Sequence, residues 1–234
     1  VSEPLRHESL HDGFVAATGQ RPEFADAIDR HIAEYFGPVE FVLHEMVSHL
    51  VGVHVYVVAP TEKRPFRTLI TSGMSDLPMT VPAGHGISPY AELVICLPAG
   101  WPITGDWMND DRHSWPIWLL KQVARLPHQY GTWVGEWHSM PNGDPAQPYD
   151  RSTPFAAVVV TPMLTTGPEA RVIEVPGGER INLLALVPLH PDELAVKLEH
   201  GTDALIGLLD RGRVHEVLDP ARGSTVSSTG SSRG

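Results

Sequence analysis

The stretch that decides the fold is "VHVYVVAPTEKRPFRTLITSGMSDLPM", residues 53–79. It contains two runs rich in β-branched and aromatic residues, joined by a short Pro-bounded turn. That connection is too short for a crossover, so the two runs pair as antiparallel neighbours. The same texture precedes them in "EFVLHEMV" (40–47) and follows in "AELVICLP" (91–98). Three more strand candidates come later: "FAAVVVTPM" (155–163), "RVIEVP" (171–176) and "INLLALVPL" (181–189).

Helical periodicity frames these runs. "PEFADAIDRHIAEYFGP" (22–38) places Phe24, Ala27, Ile28, His31, Ile32, Tyr35 and Phe36 at helical spacing, with Pro22 at the entry and Gly37-Pro38 as the stop. A second helix is predicted over residues 115–126, with Ser114 as N-cap and Pro127 as terminator. "HPDELAVKLEHGTDALIGLLDRG" (190–212) reads as two helices joined at Gly201, with Thr202 capping the second. The expectation is an α+β fold with a central, mostly antiparallel mixed sheet flanked by helices. An N-terminal extension (1–21) leads into one domain (22–220), and a Ser/Gly-rich tail (221–234) follows, expected to be disordered.

Charge limits the function classes. With 28 acidic against 17 basic residues the formal charge is −11, which repels nucleic acid and anionic membrane alike. No run approaches the roughly 20 apolar residues of a bilayer span, and the N-terminus lacks the pattern of a secretory signal. The single cysteine, Cys96, lies in an apolar strand, so its expected state is a buried thiol and its expected compartment the cytoplasm.

Catalytic motifs are present only in broken form. Gly73-Met74-Ser75-Asp76 stops short of the G-x-S-x-G nucleophile elbow because Leu77 stands at the second glycine position. "LHEMVSHL" has one residue too many for the zinc-protease spacing: five apart on a helix, His44 and His49 diverge by about 140°. On a strand they take opposite faces. No cofactor or metal is expected. Ser75 with His138 and either Asp76 or Asp144 forms a conceivable hydrolase set, which stands as an alternative, beside that of a general interaction scaffold.

All six tryptophans fall within residues 101–137, interleaved with Asp106, Asp110, Asp111 and Glu136. Trp115 and Trp118 sit in a leucine-rich helix and read as packing. Trp101 and Trp107 lie in "AGWPITGDWMNDDRHS", a loop composition, and read as interface anchors with an acidic rim that suits a basic partner. The loop "HSMPNGDPAQPYD" (138–150) is a second candidate surface. Its Asn142-Gly143 turn and prolines preform a loop that presents His138, Asn142 and Asp144.

Six stretches in order resemble the bacterial branch of the suppressor of fused domain family: "HVYVV", "TLITSGMSDLPM", "YAELVICLP", "WPIWLLKQVARLPHQYGTW", "HSMPNGDPAQPY" and "LVPLHPDELAVKLEHGTDALI". The resemblance spans roughly residues 22–220. It implies an α/β domain with a mixed sheet, and protein binding without catalysis. Animal members hold a transcription factor by adding its strand between two domains, whereas many bacterial members look like immunity proteins that neutralise a toxin. The sequence has no counterpart of the second animal domain, so the animal partner is not carried over. Glu136-Trp137 and Ser139-Met140 around His138 depart from the family pattern, while Pro141-Asn142-Gly143-Asp144-Pro145 keeps it. Asp76, Trp101, Trp107, Asp110, Asp111, His138, Asn142 and Asp144 are the expected contacts of a protein partner, and the partner the resemblance implies is a basic toxin domain.

Overall fold

The computed structural model describes residues 5–11, 13–17, 19–103 and 109–226. Its strands are β1 (Val39–Leu43), β2 (His54–Val58), β3 (Phe66–Ser72), β4 (Tyr90–Pro98), β5 (Ser139–Pro141), β6 (Ala157–Thr161), β7 (Val172–Glu174) and β8 (Arg180–Leu189). The helices are α1 (Pro22–Tyr35), α2 (Asp111–Tyr130), α3 (Pro191–His200) and α4 (Thr202–Arg211). The strands form one sheet in the order β1-β2-β3-β4-β8-β6-β5, with β7 also paired to β8. Only the β4–β8 pair is parallel among the described residues. The sheet is thus mixed and mostly antiparallel, as the short connections predict, and β8, the last strand among the described residues, lies in its interior between β4 and β6.

Alternation along the strands divides the core. Val55 and Val57 of β2, with Leu93, Ile95 and Leu97 of β4, face α2. Val58, Ile70, Val94 and Cys96 face α1, whose Phe24, Ile28 and Ile32 are fully enclosed. On β6 and β8, Ala157, Val159, Val187 and Leu189 pack beneath Leu194, Leu205 and Leu209 of α3 and α4. Both faces of β4 are covered, which is why "AELVICLP" reads as an unbroken apolar run rather than an alternation. Burial raises the Cys96 thiol to about 12, so it stays protonated.

Several boundaries differ from the sequence reading. α2 starts a turn earlier, because Asp110 rather than Ser114 is the N-cap and accepts from Arg112 N at 3.2 Å. It also continues past Pro127, a buried residue inside the helix, to Gly131 at φ 57°. Packing of that face outweighs the local cost of the proline. Gly201 rather than Thr202 caps α4, and β1 ends at Leu43, beyond which the chain leaves the strand. Glu45 instead reaches α2, accepting from Lys121 Nζ at 3.2 Å and from Arg125.

Two segments expected to lie outside the domain are held by it. Leu10 N donates to Gln129 O at 2.9 Å, and Ala16 bridges to His49. At the other end Arg222 and Thr225 converge on the buried carboxylate of Glu193, with Arg222 Nη2 to Oε2 at 2.9 Å and Thr225 N to Oε1 at 2.9 Å. The stretch 221–226, read as the start of a disordered tail, is therefore anchored, because Glu193 requires its donors. No helix among the described residues is long and apolar enough to cross a membrane.

Candidate functional site

The most exposed tryptophan among the described residues is on α2. Its buried positions include Trp115, Leu119, Leu120, Val123 and Ala124, and the face turned away carries Asp111, Trp118 and Gln122, spaced by seven and four residues. Trp118 is 51% exposed and Trp115 only 4%, so the packing role predicted for both belongs to Trp115 alone. Lys121 Nζ lies 5.9 Å from the centroid of the Trp118 ring.

The loop 142–150 stands opposite this face. Asn142 Nδ2 donates to the carbonyls of Gln147 (2.8 Å) and Pro148 (3.2 Å), and Gln147 N returns a bond to Asn142 O at 2.8 Å. Tyr149 N bonds Phe155 O at 3.0 Å, and the Tyr149 ring stacks on Trp115 at 5.4 Å with planes 5° apart. Ordering the loop this way in advance lowers the entropy a partner must remove on docking. Between loop and helix lies a cleft of about 180 Å³, lined by Asp111, Trp118, Asn142, Tyr149 and Asp150 among others. The Ser152 hydroxyl and amide hold the Asp150 carboxyl below its usual range, so it is charged at neutral pH.

A second polar loop, Gly73–Asp76, has a different character. Glu92 of β4, fully buried, accepts from Thr71 Oγ1 (2.6 Å), Ser75 Oγ (2.6 Å), Gly73 N (2.9 Å) and Ser75 N (3.0 Å). Burial raises its pKa, and the four donors work against that rise. Gly73 sits at φ 119°, and a Cβ there would come within 2.0 Å of Gly52 O, so the turn tolerates no side chain. The lone acid inside "AELVICLP" was the sequence signal for this lock.

The family model for suppressor of fused protein matches residues 49–223. The chain belongs to the suppressor of fused family. No curated protein matches it in sequence. Among solved structures it is similar to a suppressor of fused homologue from Neisseria gonorrhoeae, with TM-score 0.63 and 15% identity over 88% of this chain and 98% of that one. Drosophila Suppressor of Fused gives TM-score 0.59 and 14% identity over 88% of this chain, which spans about half (52%) of that protein. A chain of the Sufu–Fu complex gives 0.56 and 13% over 87% of this chain and 91% of that one. At these identities the likeness establishes the suppressor of fused fold.

Within this suppressor of fused domain the predicted contacts scatter. Asp111 and Asn142 meet at the cleft. Asp110, next to it in sequence, spends its carboxylate on Arg112 Nε (2.8 Å) and His113 Nδ1 (2.9 Å), and these bonds hold its pKa well below the usual range. Trp101 is not a surface anchor: it is 8% exposed, and its Nε1 donates to His113 O at 2.9 Å. Trp107 and Asp106 lie outside the described residues. Asp144 is exposed and pairs with Arg6 at 2.8 Å. Asp76 accepts from Arg21 N at 3.0 Å, with its other oxygen buried and unpartnered. Burial raises the pKa of Asp76.

The Ser75/His138 hydrolase set does not assemble. Ser75 is enclosed and bonded to Glu92, whereas the His138 ring stands 4.3 Å from Trp133. Burial, reinforced by nearby Lys197, lowers the His138 pKa.

Proposed function

We propose that this suppressor of fused domain is a non-enzymatic binding module that holds a basic protein partner across the α2 and 142–150 face. The observation that carries the reading is Trp118, exposed on a helix and flanked by Asp111 and Asp150 at a preordered cleft. An indole at the centre with carboxylates at the rim is the arrangement in which one aromatic side chain dominates affinity while charge steers approach. The −11 charge of the chain selects for a cationic partner. The Sufu–Fu complex supports protein binding as a use of this fold.

The finer reading is toxin immunity, in which the partner is a basic toxin domain sequestered in the cytoplasm. The test is capture on the immobilised chain from the native host, followed by growth assays of each captured protein. One stoichiometric basic protein that arrests growth alone and is neutralised by this chain supports immunity. Trp118→Ala weakens that complex by about 2 kcal/mol, roughly 30-fold. Undiminished affinity in Trp118→Ala would remove this face as the binding surface, and turnover abolished by Ser75→Ala in a folded protein would return the domain to the hydrolases.

A further inference from the structure

A larger cleft, of about 790 Å³, opens at the beginning of the parallel β4–β8 pair and shares no lining residue with the α2 face. Its position follows from an interruption in the sheet. On one side of β8, β7 pairs with residues 180–182 and β6 with residues 185–189, leaving Leu183 and Leu184 without a strand neighbour there. Both line the cleft, together with the loops 86–90 and 133–136. The volume falls in the range of small-ligand sites, about 300–1,000 Å³.

Its cations are not equivalent. Arg180 is engaged by Glu174 at 3.0 Å. Glu179, on the same wall, is engaged by Arg21 at 3.3 Å. The side chain of Arg171, which ends the turn ahead of β7, makes no hydrogen bond or ion pair among the described residues, and its Nε is buried with no protein acceptor. Arg171 lines the cleft with no protein carboxylate or carbonyl on its side chain, so a ligand there meets an unneutralised guanidinium. The side-chain amide of Asn182, on the neighbouring strand, is likewise uncommitted and supplies a second donor. Trp133 and Tyr90 add aromatic surface.

We infer that this cleft binds a carboxylate attached to a flat or apolar body, with the Arg171 fork and the Asn182 amide on the carboxylate and the Trp133 ring against the body. A planar monoanion suits a single guanidinium fork. A dianion such as a phosphoryl group is disfavoured because Glu136 and Glu179 line the same cleft. The carboxylate can come from a free small acid or from the C-terminus of a peptide, which share this chemistry.

The experiment uses the full chain, labelled with ¹⁵N, titrated with indole-3-acetate and with its amide. A second pair, a tripeptide ending in tryptophan with a free or an amidated C-terminus, separates the two sources. The expected result is that the acids shift the Asn182 side-chain amide and Trp133 indole signals and bind at least about tenfold tighter than the amides. Arg171→Gln abolishes that preference, Arg171→Lys weakens it, and Arg180→Gln leaves it intact. Tighter binding of the free acid assigns a small-molecule site, and tighter binding of the tripeptide a peptide-terminus site. Equal affinity of acids and amides, shifts confined to other residues, or no binding up to about 10 mM would overturn the inference. Because the acid–amide comparison is made on the unaltered chain, it decides the question even where an Arg171 variant fails to fold.

Discussion

The loops 73–76 and 142–150 look alike in sequence, each a short polar turn rich in Gly, Asp and Asn or Ser, yet they spend their polar groups differently. Loop 73–76 directs the donors of Gly73 and Ser75 inward to one buried carboxylate, Glu92. Loop 142–150 closes on itself through Asn142 and on α2 through Tyr149, which leaves Asp150 facing the cleft beside Trp118. The contrast teaches that a polar loop becomes a binding surface when its internal bonds satisfy its backbone and leave a charge over. When its side chains complete a buried site, it becomes part of the core.

The sharpest way to break the contrast is Glu92→Ala. It strands two hydroxyls and two amides in the interior, and it should cost about 3–5 kcal/mol in urea unfolding. Next in size is Trp118→Ala, where the outcome is selective: partner affinity falls by about 2 kcal/mol while stability moves by no more than about 0.5 kcal/mol. Ser75→Ala removes one of four donors to Glu92 and should lower stability by about 1–2 kcal/mol, with partner affinity unchanged. A larger effect of Ser75→Ala on binding than on stability would mean that loop 73–76 serves the interface after all.

The smallest effect is on pH. Burial lowers the pKa of His54, His128 and His138 below the ordinary 6.5. The unfolded chain therefore takes up protons first, so stability is full above pH 6.5 and declines as pH falls through and below it. Asp76 acts in the opposite sense: its raised folded pKa favours the neutral acid, so its penalty grows as pH rises out of the ordinary aspartate range. Urea midpoints at pH 7.5 and 5.5 should fall on acidification, and Asp76→Asn should gain relative to the parent at the higher pH.

Local pattern carried much of the fold. The buried face of α1, the β2–β3 pair and the break between α3 and α4 at Gly201 all follow from spacing and turn residues within a few positions of one another. What sequence reading missed was decided at a distance. Asp110 and Ser114 are both good N-caps one turn apart, and Asp110 prevails through the side chains of Arg112 and His113. The outward tryptophan was legible in the Asp111, Trp118 and Gln122 spacing, but only once the helix was extended back to residue 111. Trp101 took an outward role from its loop composition, although its indole is satisfied by a helix carbonyl twelve residues on. Glu92 stands out in sequence only as the lone acid of an apolar strand, and the four donors that explain it come from a different part of the chain.

The central seat of β8 has a consequence for synthesis. Chain order and sheet order disagree: β1 to β4 are complete by residue 98, but the neighbour that closes the far edge of β4 arrives only at residues 180–189. A ribosome adding about 5–20 residues per second leaves that edge waiting for several seconds, apolar on both faces and short of hydrogen-bond partners. The nascent chain is then most open to wrong pairing with another copy of itself. A fragment ending near residue 100 should precipitate where the full chain stays in solution, and the yield of the intact domain should depend on how quickly its last third follows.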